Sequence, residues 1–167
     1  MSESLSLNIP ALMKGGDVQL RPLIVDLSAT KVAESRLLEA KDVNPATYTD
    51  LEYCFNESYR ELKRALASVQ YEIGRTQNAM DNIKAELLID KYPAFMEGKP
   101  KSQDNADLRK AFVQRDKDYQ QALDRLQNLS ALETLIEGRI KVMERVTSYM
   151  RKKMDLIIRA GYNPGIK

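Results

Sequence analysis

The sequence predicts an all-α protein built around a long antiparallel helical hairpin, coiled-coil-like, with a short N-terminal helix and an extended N-terminal arm. Three observations carry this expectation. From Asp104 to Ala160 there is no Pro and only one Gly, Gly138, and apolar residues recur at alternating three- and four-residue steps. The ladder runs through Leu108, Phe112, Tyr119, Ala122, Leu126, Leu129, Ile136, Ile140, Met143, Met150, Met154 and Ile157, with Arg115, Glu133 and Thr147 on the rungs between. A second ladder of the same pitch runs through Phe55, Tyr59, Leu62, Leu66, Val69, Ile73, Thr76, Met80, Ile83 and Leu87. Between the two, residues 92–103 hold Pro93, Gly98 and Pro100, which break helices.

A period near 3.5 residues marks a helix packed lengthwise on another. The 104–160 helix would be about 85 Å long at 1.5 Å per residue, too long to fold on itself, so it needs a neighbour. The segment of residues 46–91 supplies one, and the 92–103 connection is long enough to reverse the chain, which gives the hairpin. The same seam can also close on other subunits, and the sequence leaves both arrangements open.

The elements run in order. Residues 1–27 form an arm: a small apolar cluster is interrupted by Pro10 and by Gly15–Gly16, and Pro22 disfavours a central strand. The helical domain covers residues 28–167. Its short helix spans 28–42, with Ser28 or Thr30 as cap. Asn44-Pro45 ends that element and starts the long helix 46–91. Residues 92–103 make the hairpin tip. The return helix 104–160 starts from Asp104 or Ser102 as cap and stops at Gly161, followed by Pro164.

Charge is unevenly spread. The formal net charge is +2, but residues 1–58 carry a net −4 and residues 139–167 a net +6. A basic C-terminal third suits a polyanion, or an acidic surface of a neighbouring subunit. No run of residues is long and apolar enough for a membrane span, and the N-terminus has no signal-like core, so no membrane and a cytoplasmic location are expected (the host cytoplasm if the gene is a phage's).

Catalysis finds little support in the residues. The chain contains no His, the commonest general base and metal ligand. Cys54 is the single cysteine and reads as a buried small apolar residue. The acidic pairs Glu57/Glu61, Glu86/Asp90 and Glu133/Glu137 are spaced by four, not by the three of magnesium-holding ExxE and ExxD pairs in small helical nucleotide hydrolases, and read as solvated helix faces. No phosphate-binding loop follows Gly15–Gly16. The expectation is a protein that is no enzyme and has no cofactor and no metal.

Two basic stations remain. At the tip, Lys84, Lys91, Lys99, Lys101, Arg109 and Lys110 lie among Tyr92, Phe95, Phe112 and Tyr119, the mix of cations and rings that single-stranded nucleic acid requires. At the far end, Arg151, Lys152 and Lys153 fan outward from the seam. The seam residues Ile136, Ile140, Met143, Met150, Met154 and Ile157 are the candidate oligomer interface.

The layout resembles the UvsY-type recombination mediators of T-even bacteriophages over roughly residues 46–160. That family's return helix carries an Ala-Asp-Lys-Asp segment, which Arg115-Asp116-Lys117-Asp118 resembles. Its outgoing helix ends on a Lys-Ala pair, matched by Lys84-Ala85, although Glu86 stands where the family has an Arg. The resemblance implies a homo-oligomer that binds single-stranded DNA, loosens the single-strand-binding protein and helps load a RecA-like recombinase. It places the DNA contact at Lys84, with the Glu86 departure shifting weight to Lys91, Lys99 and Lys101. The alternative is a coiled-coil scaffold or adaptor of a phage, without nucleic-acid binding.

Overall fold

The computed structural model describes residues 23–161, with the backbone alone described at Lys101. The N-terminal arm up to residue 22, Pro164 and Lys167 lie outside the described residues. Among the described residues six α-helices succeed one another: α1 Ser28–Ser35, α2 Leu37–Lys41, α3 Pro45–Glu86, α4 Tyr92–Met96, α5 Ala106–Gln114 and α6 Lys117–Gly161. A π-helical turn, Leu87–Lys91, joins α3 to α4, and a 3-10 turn covers Lys101–Gln103. No strand element occurs among the described residues. The helical run of residues 45–96 packs against α6 as an antiparallel hairpin.

The predicted ladders are the packing surfaces. Phe55, Leu62, Val69 and Thr76 on α3, and Leu129, Ile136, Met143 and Met150 on α6, all have negligible exposure, as has Leu51, one turn ahead of the first predicted rung. Each fully buried apolar side chain of this size contributes about 1.5–3 kcal/mol by leaving water. Tyr59, Leu66, Ile73, Leu126 and Ile157, also on the ladders, are half-buried.

The boundaries differ from expectation in four places, each for a local reason. The expected 28–42 helix is two helices, because the chain tightens at Arg36, whose N–H reaches back three residues to the Ala33 carbonyl at 3.1 Å. The Arg36 guanidinium then binds Glu39 and, at 2.8 Å, Asp50 of α3. The helical run continues through Pro93 to Met96 instead of stopping at 91. Pro93 sits in the first turn of α4, where it costs no hydrogen bond.

The return helix is broken at Arg115–Asp116. The N–H groups of both residues bond three residues back, to Phe112 and Val113, and the Asp116 carboxylate accepts from the Tyr119 N–H at 3.0 Å, capping α6. Asn105, not Asp104 or Ser102, caps α5, by accepting from the Leu108 N–H at 2.8 Å.

The chain divides into two compact units. The first comprises, among the described residues, 25–68 and 133–161, and the second 23–24 and 69–132. In the first unit α1 is tied to both long helices. Neither Ser28 nor Thr30 caps it. Glu61 of α3 does so instead: its carboxylate accepts the N–H groups of Ala29 (3.0 Å) and Thr30 (2.8 Å) and the Thr30 hydroxyl (2.8 Å). Glu61 is therefore not a solvated face residue but a cap supplied from another helix. Arg139 of α6 donates to Glu34 of α1. Asn44 caps α3, accepting from the N–H groups of Ala46 and Thr47, with Pro45 at the first helical position.

In the second unit the core is Met80, Ile83, Leu87, Val113 and Ala122, with Phe112, Tyr119 and Leu126 packed against it. Arg125 is buried there as well and meets Glu72.

Cys54 is half-buried instead of buried. Partial burial pushes its thiol above the ordinary range, against the opposing pull of the Arg36 cation.

Candidate nucleic-acid interface

In the second unit, the last turn of α3, the turn after it, α5 and the start of α6 surround a cleft of about 640 Å³. Leu88, Val113 and Tyr119 form its apolar floor, and Lys84, Arg109 and Lys110 stand around it with Asp104, Asn105 and Gln114. The local chemistry explains this gathering. Asn105 starts α5 and so sets the phase that brings Arg109, Lys110 and Val113 to the cleft. The Asp116 cap restarts the helix after α5, which brings Tyr119 to the same cleft.

The three cations are not equivalent. Arg109 is held by Asp104 through two parallel bonds, Nε to Oδ1 at 2.8 Å and Nη2 to Oδ2 at 2.7 Å. The Tyr92 hydroxyl donates to the same carboxylate at 2.9 Å. Arg109, and then Tyr92, hold the Asp104 carboxyl down at about 2. Burial and the bond to Asp104 push the Tyr92 phenol up. The Arg109 charge is thus spent on Asp104, and its guanidinium also lies 5.8 Å from the Tyr92 ring centre. Lys84 and Lys110 are exposed and have no ion-pair partner among the described residues.

The other tip residues go elsewhere in this unit. Lys91 lines a separate cleft of about 390 Å³ with Phe95, Phe112, Arg115 and Asp116. The Lys99 ammonium lies 3.1 Å from the Phe95 ring centre, after Gly98, whose φ of 77° is the left-handed turn that glycine permits. Tyr92, Phe95 and Phe112 stack among themselves with ring centres 4.9–5.9 Å apart, so these three rings close the hairpin end. Lys101 lies in the 3-10 turn Lys101–Gln103.

Comparison with protein-family models, with curated proteins and with solved structures finds no match to this chain. The site therefore rests on its own geometry.

In the first unit, Arg151 is paired with Glu52 of α3 at 3.0 Å, and the Lys153 ammonium donates to the Lys41 carbonyl. Both are structural ties that hold α6 to α3 and to the end of α2. Lys152 alone of the predicted trio is exposed without an ion-pair partner among the described residues. Lys141, Arg145 and Arg159 share that condition. The candidate oligomer interface also changes meaning. Ile136, Ile140, Met143, Met150 and Met154 are buried within the single chain, and Ile157 is half-buried. This seam is filled by the protein's own helices and is not an open subunit face.

Of the acidic pairs, Glu57/Glu61 is used residue by residue: Glu57 meets Arg60 at 2.7 Å, and Glu61 caps α1. Among the described residues, no three His, Cys, Asp or Glu side chains are grouped to hold a metal ion. No helix among them is long and apolar enough to cross a membrane.

Two features of the site escape sequence reasoning. The Asp104–Arg109 pair, five residues apart, removes one of the counted cations. Tyr119, a rung of the predicted ladder, also lines the cleft. Pro93, Gly98 and Pro100 mark the reversal at the tip, but not the turn geometry that brings Tyr92 to Asp104.

Proposed function

We propose that the protein binds single-stranded DNA without catalysis, as a recombination mediator that acts as a homo-oligomer alongside a single-strand-binding protein and helps load a RecA-like recombinase. The observation that carries the DNA-binding part is the cleft bordered by Lys84 and Lys110, two cations without ion-pair partners among the described residues, above an apolar floor that includes the Tyr119 ring. Its volume falls in the range of about 300–1,000 Å³ used by small-ligand sites, which admits a base while the two ammonium groups meet the phosphates on either side. Such contacts give affinity without sequence choice. The mediator role rests on the resemblance carried by Lys84-Ala85 and Asp116-Lys117-Asp118. In this fold Asp116 is a helix cap, so a structural requirement alone also accounts for the acid at that position.

The test is fluorescence anisotropy of labelled poly-dT across a salt series, for wild type and for Lys84→Glu/Lys110→Glu. Binding that weakens steeply with salt, and falls at least about tenfold in the double variant, supports the reading. No binding at low salt by a folded protein overturns it. The second reading, a scaffold or adaptor, is favoured by exposed apolar residues on α6: Leu135, Val142, Tyr149 and Leu156 are 43–66% exposed.

A further inference from the structure

Leu135, Val142, Tyr149 and Leu156 succeed one another at steps of seven along α6. Seven residues are nearly two full helical turns, so the four side chains form one stripe with a slow drift. The stripe is separate from the buried seam, whose members Ile136, Met143 and Met150 each come one residue after a stripe residue. Three residues after Val142, Tyr149 and Leu156 stand Arg145, Lys152 and Arg159, again at steps of seven. All three are exposed, and none has an ion-pair partner among the described residues. On the opposite flank of the stripe, four residues on from Leu135 and Tyr149, Arg139 and Lys153 are already engaged by Glu34 and the Lys41 carbonyl. Of the exposed acids on this stretch, Glu137 and Glu144 sit two residues past stripe positions, about 200° around the helix, and Asp155 comes one residue before Leu156, between Lys152 and Arg159, so the cation flank keeps a net positive charge with one acid beside it.

We propose that this face of α6 docks an amphipathic helix of a partner protein, one whose apolar stripe is flanked by acidic residues. The proposal is independent of the DNA reading, since Lys84 and Lys110 take no part in it. The period of seven selects a helix as occupant, because knobs at that spacing match the holes of a second helix in a left-handed supercoil. The stripe spans about 21 residues, roughly 32 Å, or about three heptads.

The charge pattern selects the partner's sign. A second copy of α6 would set Arg145, Lys152 and Arg159 against the same row of cations in an antiparallel pair, and against the flank that carries Arg139 and Lys153 in a parallel one, like-charge arrangements that argue against self-pairing. Residues 1–22 of the chain itself carry only Glu3 and Asp17 as acids, offset by Lys14 and Arg21, and are broken by Pro10 and Gly15–Gly16. They cannot supply three acidic heptads.

The experiment uses a fluorescein-labelled synthetic helix of about three heptads with Leu at the seam and Glu beside it, and its counterpart with Lys in place of Glu. Both are titrated with full-length protein. The expected result is at least about tenfold tighter binding of the Glu peptide. That binding is lost in Val142→Asp/Leu156→Asp, whose side chains are exposed and whose helicity is checked by circular dichroism. In Arg145→Glu/Lys152→Glu/Arg159→Glu the preference reverses toward the Lys peptide.

Equal binding of both peptides, or binding indifferent to these variants, overturns the proposal. So does self-association abolished by Val142→Asp/Leu156→Asp in a protein that binds neither peptide, which would make a second copy the occupant. Peptide binding that emerges only in Leu5→Asp/Ile9→Asp/Leu12→Asp would assign the face to the chain's own N-terminal segment. Binding of anionic lipid vesicles or poly-dT through the same residues, without peptide binding, would assign it to those surfaces instead.

Discussion

Arg125 of α6 places its Nη2 3.1 Å from Oε2 of Glu72 on α3, with the arginine side chain only 3% exposed. The pair spans 53 positions in sequence and joins the two helices inside the second unit. Arg75, one turn on, adds a second bond to Glu72 at 3.3 Å. A buried pair of this kind contributes little over an apolar replacement, yet breaking it from one side leaves a charge stranded. It fixes which turn of α6 meets which turn of α3.

Glu72→Leu should therefore cost about 3–5 kcal/mol, the typical penalty for stranding a buried charge. The double variant Glu72→Leu/Arg125→Met should recover most of that loss. Urea unfolding of the two variants and wild type measures it. Equal loss in the single and double variants would show that the pair does not act as a unit.

Glu61 should behave as a helix cap. Glu61→Ala removes the acceptor of two N–H groups and a hydroxyl at the start of α1 and should destabilise by about 1–3 kcal/mol. Glu61→Gln, which keeps an acceptor oxygen, should lose less. Amide hydrogen exchange at Ala29 and Thr30 should rise in Glu61→Ala ahead of exchange in α3.

Asp104 gives the tip an acid dependence. Its carboxyl is held at about 2, below the ordinary 3.8, chiefly by Arg109 and then by Tyr92. A carboxylate whose folded value is depressed contributes stability that is fully present above its unfolded value and is lost as pH falls through the folded one. The contribution should fade between about pH 4 and pH 2. Thermal midpoints of wild type and Asp104→Asn should differ at pH 7 and converge toward about pH 2. A constant gap would contradict the pairing.

For DNA, each phosphate contact on a single strand adds about 0.7 to the slope of log affinity against log salt. Lys84→Ala and Lys110→Ala should each lower the slope by about that amount. Arg109→Ala should lower it much less, because Asp104 already neutralises that charge.

The two helical ladders were legible because a 3.5-residue period reports directly which side of a helix leaves water. Asn44-Pro45 was legible because its backbone preferences act locally. The break at Arg115–Asp116 was not, since neither residue disfavours helix strongly and the deciding event is a side-chain bond to the Tyr119 N–H. Arg125 reads as a surface charge until Glu72 is known to oppose it. The cleft was half legible: Lys84, Arg109 and Lys110 stand out as a basic group, but the cancellation of Arg109 depends on the Asp104 contact. The apolar stripe on α6 shares its period of seven with the seam beside it, and one strong pattern concealed the other.

The π-turn at Leu87–Lys91 has a consequence for chain length. The buried positions step from Ile83 to Leu87 by four and then from Leu87 to Tyr92 by five, and the Tyr92 N–H bonds to the Leu87 carbonyl across that wider loop. The outgoing helix has absorbed one residue beyond its period and kept Tyr92 in line with the buried side. Removing the exposed Ile89 or Asp90 would return the turn to ordinary α geometry and leave both Leu87 and Tyr92 facing inward. This is a place in the molecule where related chains can differ by one residue and still close the same hairpin.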